Sequence, residues 1–165
     1  MYQAAAGTLI LGTAERQSQA DLSLYFGARA RGRLGRVWSM LTGRSRRLLD
    51  LAGVEANVRI DARYEAGLEA VLIERIRGSQ GRTNDFDRDF HPLQEHSRHR
   101  WLSVATAWRQ GKPLPPVDLI QVGDVYFVRD GHHRISVART VGQKAIDANV
   151  IVWHVDGPSD RSLGD

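Results

Sequence analysis

The chain has 165 residues, a formal net charge of +4 and no cysteine. This length suits one compact domain with appendages, and the missing cysteines exclude disulfides, thiolate zinc sites, iron–sulfur clusters and a cysteine nucleophile. Because no apolar run approaches the length of a membrane span, we expect a soluble cytoplasmic protein with no membrane partner.

The positive charge is concentrated in the N-terminal third. Between Asp21 and Asp50 there is no acidic residue, and the segment holds seven arginines: Arg29, Arg31, Arg33, Arg36, Arg44, Arg46 and Arg47. Such a run is typical of a surface that contacts a polyanion, so these arginines are predicted to touch DNA or RNA. The alternatives are a solvated helical face and a face that packs on an acidic protein partner.

The same region is predicted to be helical. Residues 1–13 show no clear period and are expected to be a loose strand or disordered, whereas residues 14–53 have helical spacing. Glycines weaken the predicted helix between 27 and 35, and it ends at Thr42-Gly43. A second, short helix is expected to close at Gly53.

An apolar stripe accompanies the predicted N-terminal helix. Its members recur at helical spacing and are Leu34, Val37, Trp38 and Leu41. Since this stripe lies outside the rest of the predicted domain, it suggests a homodimer contact.

The pattern then changes from helix to strand. Alternating residues predict a strand over 58–63, a turn at 65–67 and a second strand over 69–76. Residues 78–85 form a glycine-containing loop whose backbone amides stay accessible and whose Arg82 adds a positive charge. This loop is therefore a candidate functional loop.

A short segment alternates acidic and aromatic residues, from Asp85 to Phe90. Its carboxylates could bind a metal beside a phosphate, but we favour an ordered loop that Phe86 and Phe90 anchor to the core, and no metal site is assigned. A helix is predicted over 94–110, with Trp101 and Trp108 on its apolar stripe and therefore in the core.

The C-terminal third alternates strands and helix. Strands are predicted over 117–122 and 125–129, joined by a tight Gly-Asp turn. A helix that includes Ile135 and closes at Gly142 follows, and a last strand covers 148–155. The tail 157–165 has little to bury and is expected to be mobile.

Between the second of these strands and the helix lies Asp130-Gly131-His132-His133-Arg134. A glycine that lets the backbone bend before a helix start brings unpaired N–H groups to one point, where the helix dipole adds positive charge. Arg134 offers a fork of donors for phosphate oxygens, and the histidines can donate hydrogen bonds or move protons. The turn is therefore predicted to bind an anion, with phosphate as the favoured one.

The same five residues allow a plainer interpretation. The carboxylate of Asp130 could cap the helix by accepting hydrogen bonds from the amides that a phosphate would use. The histidines would then be exposed and have no functional role. If Asp130 turns away, it could instead orient a histidine, hold a metal ion with the phosphate, or act as a base.

The order of elements resembles the N-terminal domain of the ParB/sulfiredoxin superfamily. The resemblance covers roughly residues 69–155 and depends on a helix ending at Gly-Lys-Pro-Leu-Pro-Pro, a strand, a Gly-Asp turn, a strand, Asp-Gly-His-His-Arg and a helix. It implies a compact α+β domain whose ligand lies at the N-terminus of that last helix.

Members of the superfamily differ in their chemistry. Sulfiredoxins place an essential cysteine where His132 stands here, so reduction of sulfinic acid is excluded. ParB proteins bind CTP and DNA, and their corresponding turn usually reads Gly-Glu-Arg-Arg. They also carry a helix-turn-helix domain after this region, whereas we expect a tail after residue 155 here. Free serine kinases use a turn resembling this one but need a carboxylate base, and ParB-like nucleases are a further relative.

These observations predict an α+β fold: an Arg-rich helical extension over 1–53, a ParB/sulfiredoxin-like domain with a small mixed sheet over 54–156, and the tail. The expected ligand is a nucleotide (CTP, ATP or ADP, with or without Mg²⁺), bound by Gly131, His132, His133, Arg134 and Arg82. Nucleotide hydrolysis or nuclease activity could accompany this binding, and Asp130, His132 and His133 are the candidate catalytic residues, of which Asp130 and one histidine would assist proton transfer in a phosphotransferase. A small-molecule phosphotransferase and a non-catalytic interaction module are the alternatives.

Overall fold

A computed structural model describes residues 3–156, and side-chain surroundings for 15–155. The predicted mobile tail, 157–165, lies outside the described residues. In chain order the elements are α1 Gln3–Thr42, β1 Leu49–Asp50, α2 Leu51–Glu55, β2 Arg59–Leu72, a 3-10 turn Ile73–Arg75, β3 Ile76–Ser79, α3 Arg98–Arg109, β4 Val117–Val122, β5 Val125–Asp130, α4 His132–Thr140 and β6 Ala145–Asp156.

The strands form one six-stranded mixed sheet in the order β1-β3-β5-β4-β6-β2. Neighbours are parallel in the pairs β1/β3, β3/β5 and β4/β6 and antiparallel in β4/β5 and β6/β2. The predicted α+β class with a mixed sheet is confirmed. Because β3 and β5 are parallel neighbours, both end at the same edge of the sheet, where the loops that follow them meet.

The central strands are apolar on both faces because both faces are covered. Val117 and Leu119 of β4 pack with Ile135 of α4 in one cluster, whereas Ile120 and Val122 pack with Leu51 on the other face. Period-2 alternation therefore sends neighbouring residues of one strand into two cores.

A third cluster joins the helices. Tyr25 and Ala28 of α1 are fully buried against Trp101 of α3, with the Tyr25 and Trp101 rings in edge contact at 5.5 Å between centroids. Asp21 accepts hydrogen bonds from Arg109 and Thr106, and the Arg109 bond in particular holds the pKa of that carboxyl below its usual value. One face of α1 is thus fixed to α3.

The apolar stripe of α1 faces away from this contact. Leu34, Val37, Trp38 and Leu41 all remain more than half exposed. They are neither on the Tyr25–Ala28 face nor part of a cluster in the described residues, and a homodimer through them stays a prediction.

Several predicted elements are corrected by the structure. The helix begins at Gln3 rather than near residue 14 and runs unbroken through residues 27–35 to Thr42. The predicted short helix up to Gly53 is instead the strand β1 followed by α2, because β1 pairs with β3, a partner that is distant in sequence. The boundary predicted at residue 53 therefore assigns β1 to the helical extension although β1 belongs to the sheet.

Further corrections concern β2 and α3. The predicted turn at 65–67 is absent from the described chain, since β2 continues through it and absorbs the irregularity as a bulge between Glu65 and Gly67. Helix α3 starts at Arg98, not near Gln94. Phe86, Phe90 and Trp101 are buried as expected, whereas Trp108 is 44% exposed and is not a core residue.

Candidate functional site

The turn that links β5 to α4 has the geometry the sequence suggested. Gly131 is the N-cap residue of α4 with a φ of 97°, a left-handed conformation that favours glycine. A Cβ atom at this position would lie 2.5 Å from Cγ1 of Val117, so the backbone also passes close to β4. Gly131 is thus fixed by its conformation and by the lack of space.

Asp130 does not use the amides at the start of α4. No side chain of the described residues caps this helix, and the Asp130 carboxylate instead accepts a hydrogen bond from Nη2 of Arg134 at 2.6 Å. The first-turn N–H groups therefore have no competing carboxylate, which removes the plainer interpretation of Asp130 as a cap.

Arg134 stabilises the turn through hydrogen bonds to another segment of the chain. Its Nη1 donates to the backbone oxygens of Pro115 and Pro116, at 2.6 and 2.5 Å, while Nη2 is held by Asp130. The guanidinium thereby ties α4 to the segment that leads into β4. Its predicted contact with phosphate stays a prediction, and of its five N–H donors these bonds leave one on Nη2 and the one on Nε for such a contact.

His132 is buried beneath the turn. Its Nε2 lies 2.7 Å from Oγ of Ser79, and the same hydroxyl accepts a hydrogen bond from the backbone N–H of Arg82. The ring stacks on Phe86, with 5.9 Å between centroids. Burial, followed by the positive charge of Arg82, lowers the pKa of His132 to about 4, so the ring is neutral at pH 7.

His133 is also buried, but one of its ring nitrogens is unsatisfied. Its edge meets Phe86 at 5.3 Å between centroids, and Nδ1 has no hydrogen-bond partner among the described residues. Burial, followed by the charges of Arg100 and Arg82, lowers the pKa of His133 to about 4. A buried polar atom without a partner is uncommon and is a place where a ligand atom or water would bind.

The charges around His133 come from two separate segments, the loop after β3 and helix α3. Arg82 and Arg100 both oppose protonation of His133, whereas the carboxylate of Asp85 favours it. Asp85 lies 3.5 Å from Nη1 of Arg82. Of these residues the sequence indicated only Arg82 as a site residue. Ser79 and Arg100 were not assigned to the site, and Asp85 was considered only as a carboxylate that could bind a metal, because nothing in the spacing of α3 or of the loop shows which side chains the fold brings to the turn.

The predicted nucleic-acid arginines lie on α1 and the segment after it, not in the turn. Two of them are engaged in ion pairs: Arg29 with Glu95 at 3.3 Å, and Arg46 with Asp89. Five are exposed: Arg31, Arg33, Arg36, Arg44 and Arg47. Contact between these five and nucleic acid stays a prediction.

Asp87, Asp89 and His91 place three potential metal-binding atoms within 4.8 Å of one another. Asp87 Oδ1 already accepts the N–H groups of Asp89 and His91, both at 2.9 Å, and its Oδ2 meets the His91 ring. Although burial alone would raise it, these bonds keep the pKa of Asp87 below its usual value. The cluster orders its own loop, and no metal is assigned to it.

No family model matches the chain, and no curated protein matches it. Among solved structures, sulfiredoxin from Arabidopsis thaliana is similar with 21% identity and a TM-score of 0.37, over 50% of this chain and 82% of that one. Along residues 3–156, no helix is both long and apolar enough to cross a membrane.

Proposed function

We propose that this protein binds the phosphate groups of a nucleotide at the N-terminal turn of α4. The observation that carries the proposal is the uncapped helix start at Gly131, from which the buried His133 presents an unpartnered Nδ1. Free amides at a helix N-terminus are a common anion site because the N–H groups and the helix dipole act together.

The side chains around the turn fit an anionic ligand. Arg82 and Arg100 supply positive charge, and both lie close enough to His133 to lower its pKa. A bound phosphate would reverse that effect, since a nearby negative charge favours the protonated imidazole. A phosphate that raises the pKa of His133 binds more tightly to the protonated ring, so nucleotide affinity should increase as the pH falls below 7.

Nucleotide binding is tested by measuring the Tm of the protein with CTP, ATP and ADP, each with and without Mg²⁺. A ligand that binds the folded state raises Tm by mass action. We expect Arg82→Ala to weaken the stabilising nucleotide roughly 10-fold or more, the cost of one charge-assisted hydrogen bond. Arg82 is exposed, so its replacement should leave the fold intact.

Arg59→Ala is the matched control, because Arg59 is an exposed arginine at the start of the edge strand β2. It removes the same charge and should leave nucleotide affinity unchanged. Equal affinity of the Arg82→Ala variant and the wild-type protein would contradict the proposal, and so would a lack of stabilisation by every nucleotide of the panel.

The position of Asp85 favours a second candidate function, the transfer of a phosphoryl group to a hydroxyl. It is the carboxylate whose charge reaches His133, and it is paired with Arg82. In such a reaction the hydroxyl oxygen attacks the terminal phosphorus of ATP, ADP leaves, and Asp85 takes the hydroxyl proton.

This candidate predicts that serine or another hydroxyl compound stimulates ADP release. Asp85→Asn should lower that rate 100-fold or more, on the order of a lost general base, with ATP affinity retained. ADP release that no acceptor stimulates would reject the transferase and leave the binding function.

A further inference from the structure

A large cavity lies at the other end of α4. Its volume is about 650 Å³, and its walls come from the segment before β1, the 3-10 turn, the loop around Arg88 and the chain after α4. Five basic side chains line it: Arg47, Arg77, Arg88, Arg139 and Lys144. Since α4 has nine residues, about 13 Å of helix separates this cavity from the turn at Gly131.

Three of the five basic side chains of the cavity have no ion-pair partner among the described residues. Glu74 and Asp89 are its two acidic lining residues, and Asp89 is already paired with Arg46 and with Nη1 of Arg139, at 3.5 Å in the second case. No carboxylate of the described residues lies within 4.0 Å of the cationic groups of Arg47, Arg88 and Lys144.

Arg139 forms a rigid part of the wall. Its Nη2 donates to the backbone oxygens of Ile73 and Ile76, at 2.8 and 3.2 Å, but its buried Nε has no partner among the described residues. The cation is thus held in place by the backbone while one donor stays unused, which is uncommon for a buried group.

The carbonyl oxygens at the end of α4 are largely satisfied within the chain. Those of Val137, Ala138 and Arg139 accept hydrogen bonds from the N–H groups of Val141, Gln143 and Gly142, between 2.9 and 3.1 Å. These three carbonyls therefore need no cation from the cavity.

We propose that this cavity is a second anion site, which binds a compound with several linked phosphates. A single phosphate would reach only one or two of the basic side chains, because these come from four separate segments around a cavity large enough for a small molecule. A chain of phosphates can contact several of them at once, and arginine is well suited to such contacts. This site is independent of the one at Gly131.

The test is calorimetric titration of the full chain with inorganic tripolyphosphate. We expect binding by the wild-type protein, at least a 10-fold loss in the Arg88→Ala/Lys144→Ala variant, and no change in Arg16→Ala/Arg59→Ala, which removes two exposed charges elsewhere. Arg88 and Lys144 are exposed, so the first variant should fold. Glu74→Gln should increase the affinity, because it removes a negative charge that lines the cavity.

The possible outcomes distinguish binding at the cavity from binding at the turn, and a preference for phosphates from binding of any anion. Loss of tripolyphosphate binding in Arg82→Ala, with normal binding in Arg88→Ala/Lys144→Ala, would overturn the cavity site and support the turn. Equal losses in the cavity variant and the charge-matched control would overturn it as well. Citrate binding as tightly as tripolyphosphate would overturn the specificity for phosphates, and much weaker citrate binding would support it.

Discussion

Gly131→Ala should lower the free energy of unfolding by about 3 kcal/mol. Two costs combine at this position: a φ of 97° is unfavourable for an L residue by about 1–2 kcal/mol, and the new Cβ would meet the side chain of Val117 at 2.5 Å, where overpacking typically costs about 1–3 kcal/mol. Urea denaturation of the variant and the wild-type protein measures the difference.

Gly81→Ala separates the two costs. Gly81 has a similar φ of 86°, but no atom lies within 4 Å of the position where its Cβ would be built. The Gly81→Ala substitution should lower the free energy of unfolding only by the conformational cost, about 1 kcal/mol. Equal losses at Gly81 and Gly131 would show that β4 does not press on the turn, contrary to the packing described above.

Acidification from pH 6.5 to 4 should destabilise the protein. The pKa of His132 and of His133 is about 4 in the folded state, below the value near 6.5 of an unfolded histidine. In this window the unfolded chain binds more protons than the folded one, so stability is lost as the pH falls. The loss approaches about 3 kcal/mol per histidine as an upper bound, and less for two rings that interact.

The pH dependence of urea denaturation checks this expectation. The pKa values of Asp21 and Asp87 are also shifted, but downward, so the stability that these carboxylates contribute is lost mainly at lower pH. In the His132→Gln/His133→Asn variant the profile between pH 6.5 and 4 should be nearly flat. A wild-type profile that is equally flat would contradict the burial of neutral histidines at the turn.

The part of the fold that is local in sequence could be predicted. The stretch from β4 to α4 follows from alternation, a tight turn and a glycine before a helix, and the structure has β4 at the predicted bounds and β5 one residue longer. The same local reasoning fails for β1 and for the continuous strand β2. Both depend on partners that are far away in sequence, and pairing overrides local propensity.

The candidate site, too, could be predicted only in part from the sequence. Gly131 and the free amides of α4 were predictable from the order strand, glycine, helix. The position of Arg134 against Pro115 and Pro116, by contrast, depends on how two non-adjacent segments pack. The burial of both histidines was also not predictable, because polar residues at a helix start are normally exposed.

The strand β2 has a consequence for how this protein behaves at high concentration. It is an outer strand of the sheet, and its 14 residues are exposed along most of their length. Long open edges invite pairing with other chains. Here bulges interrupt the register at Ile60/Ala62 and at Glu65/Gly67, and charged residues alternate along the first half. The interrupted edge is a poor template for a foreign strand, so it should protect the folded chain against aggregation.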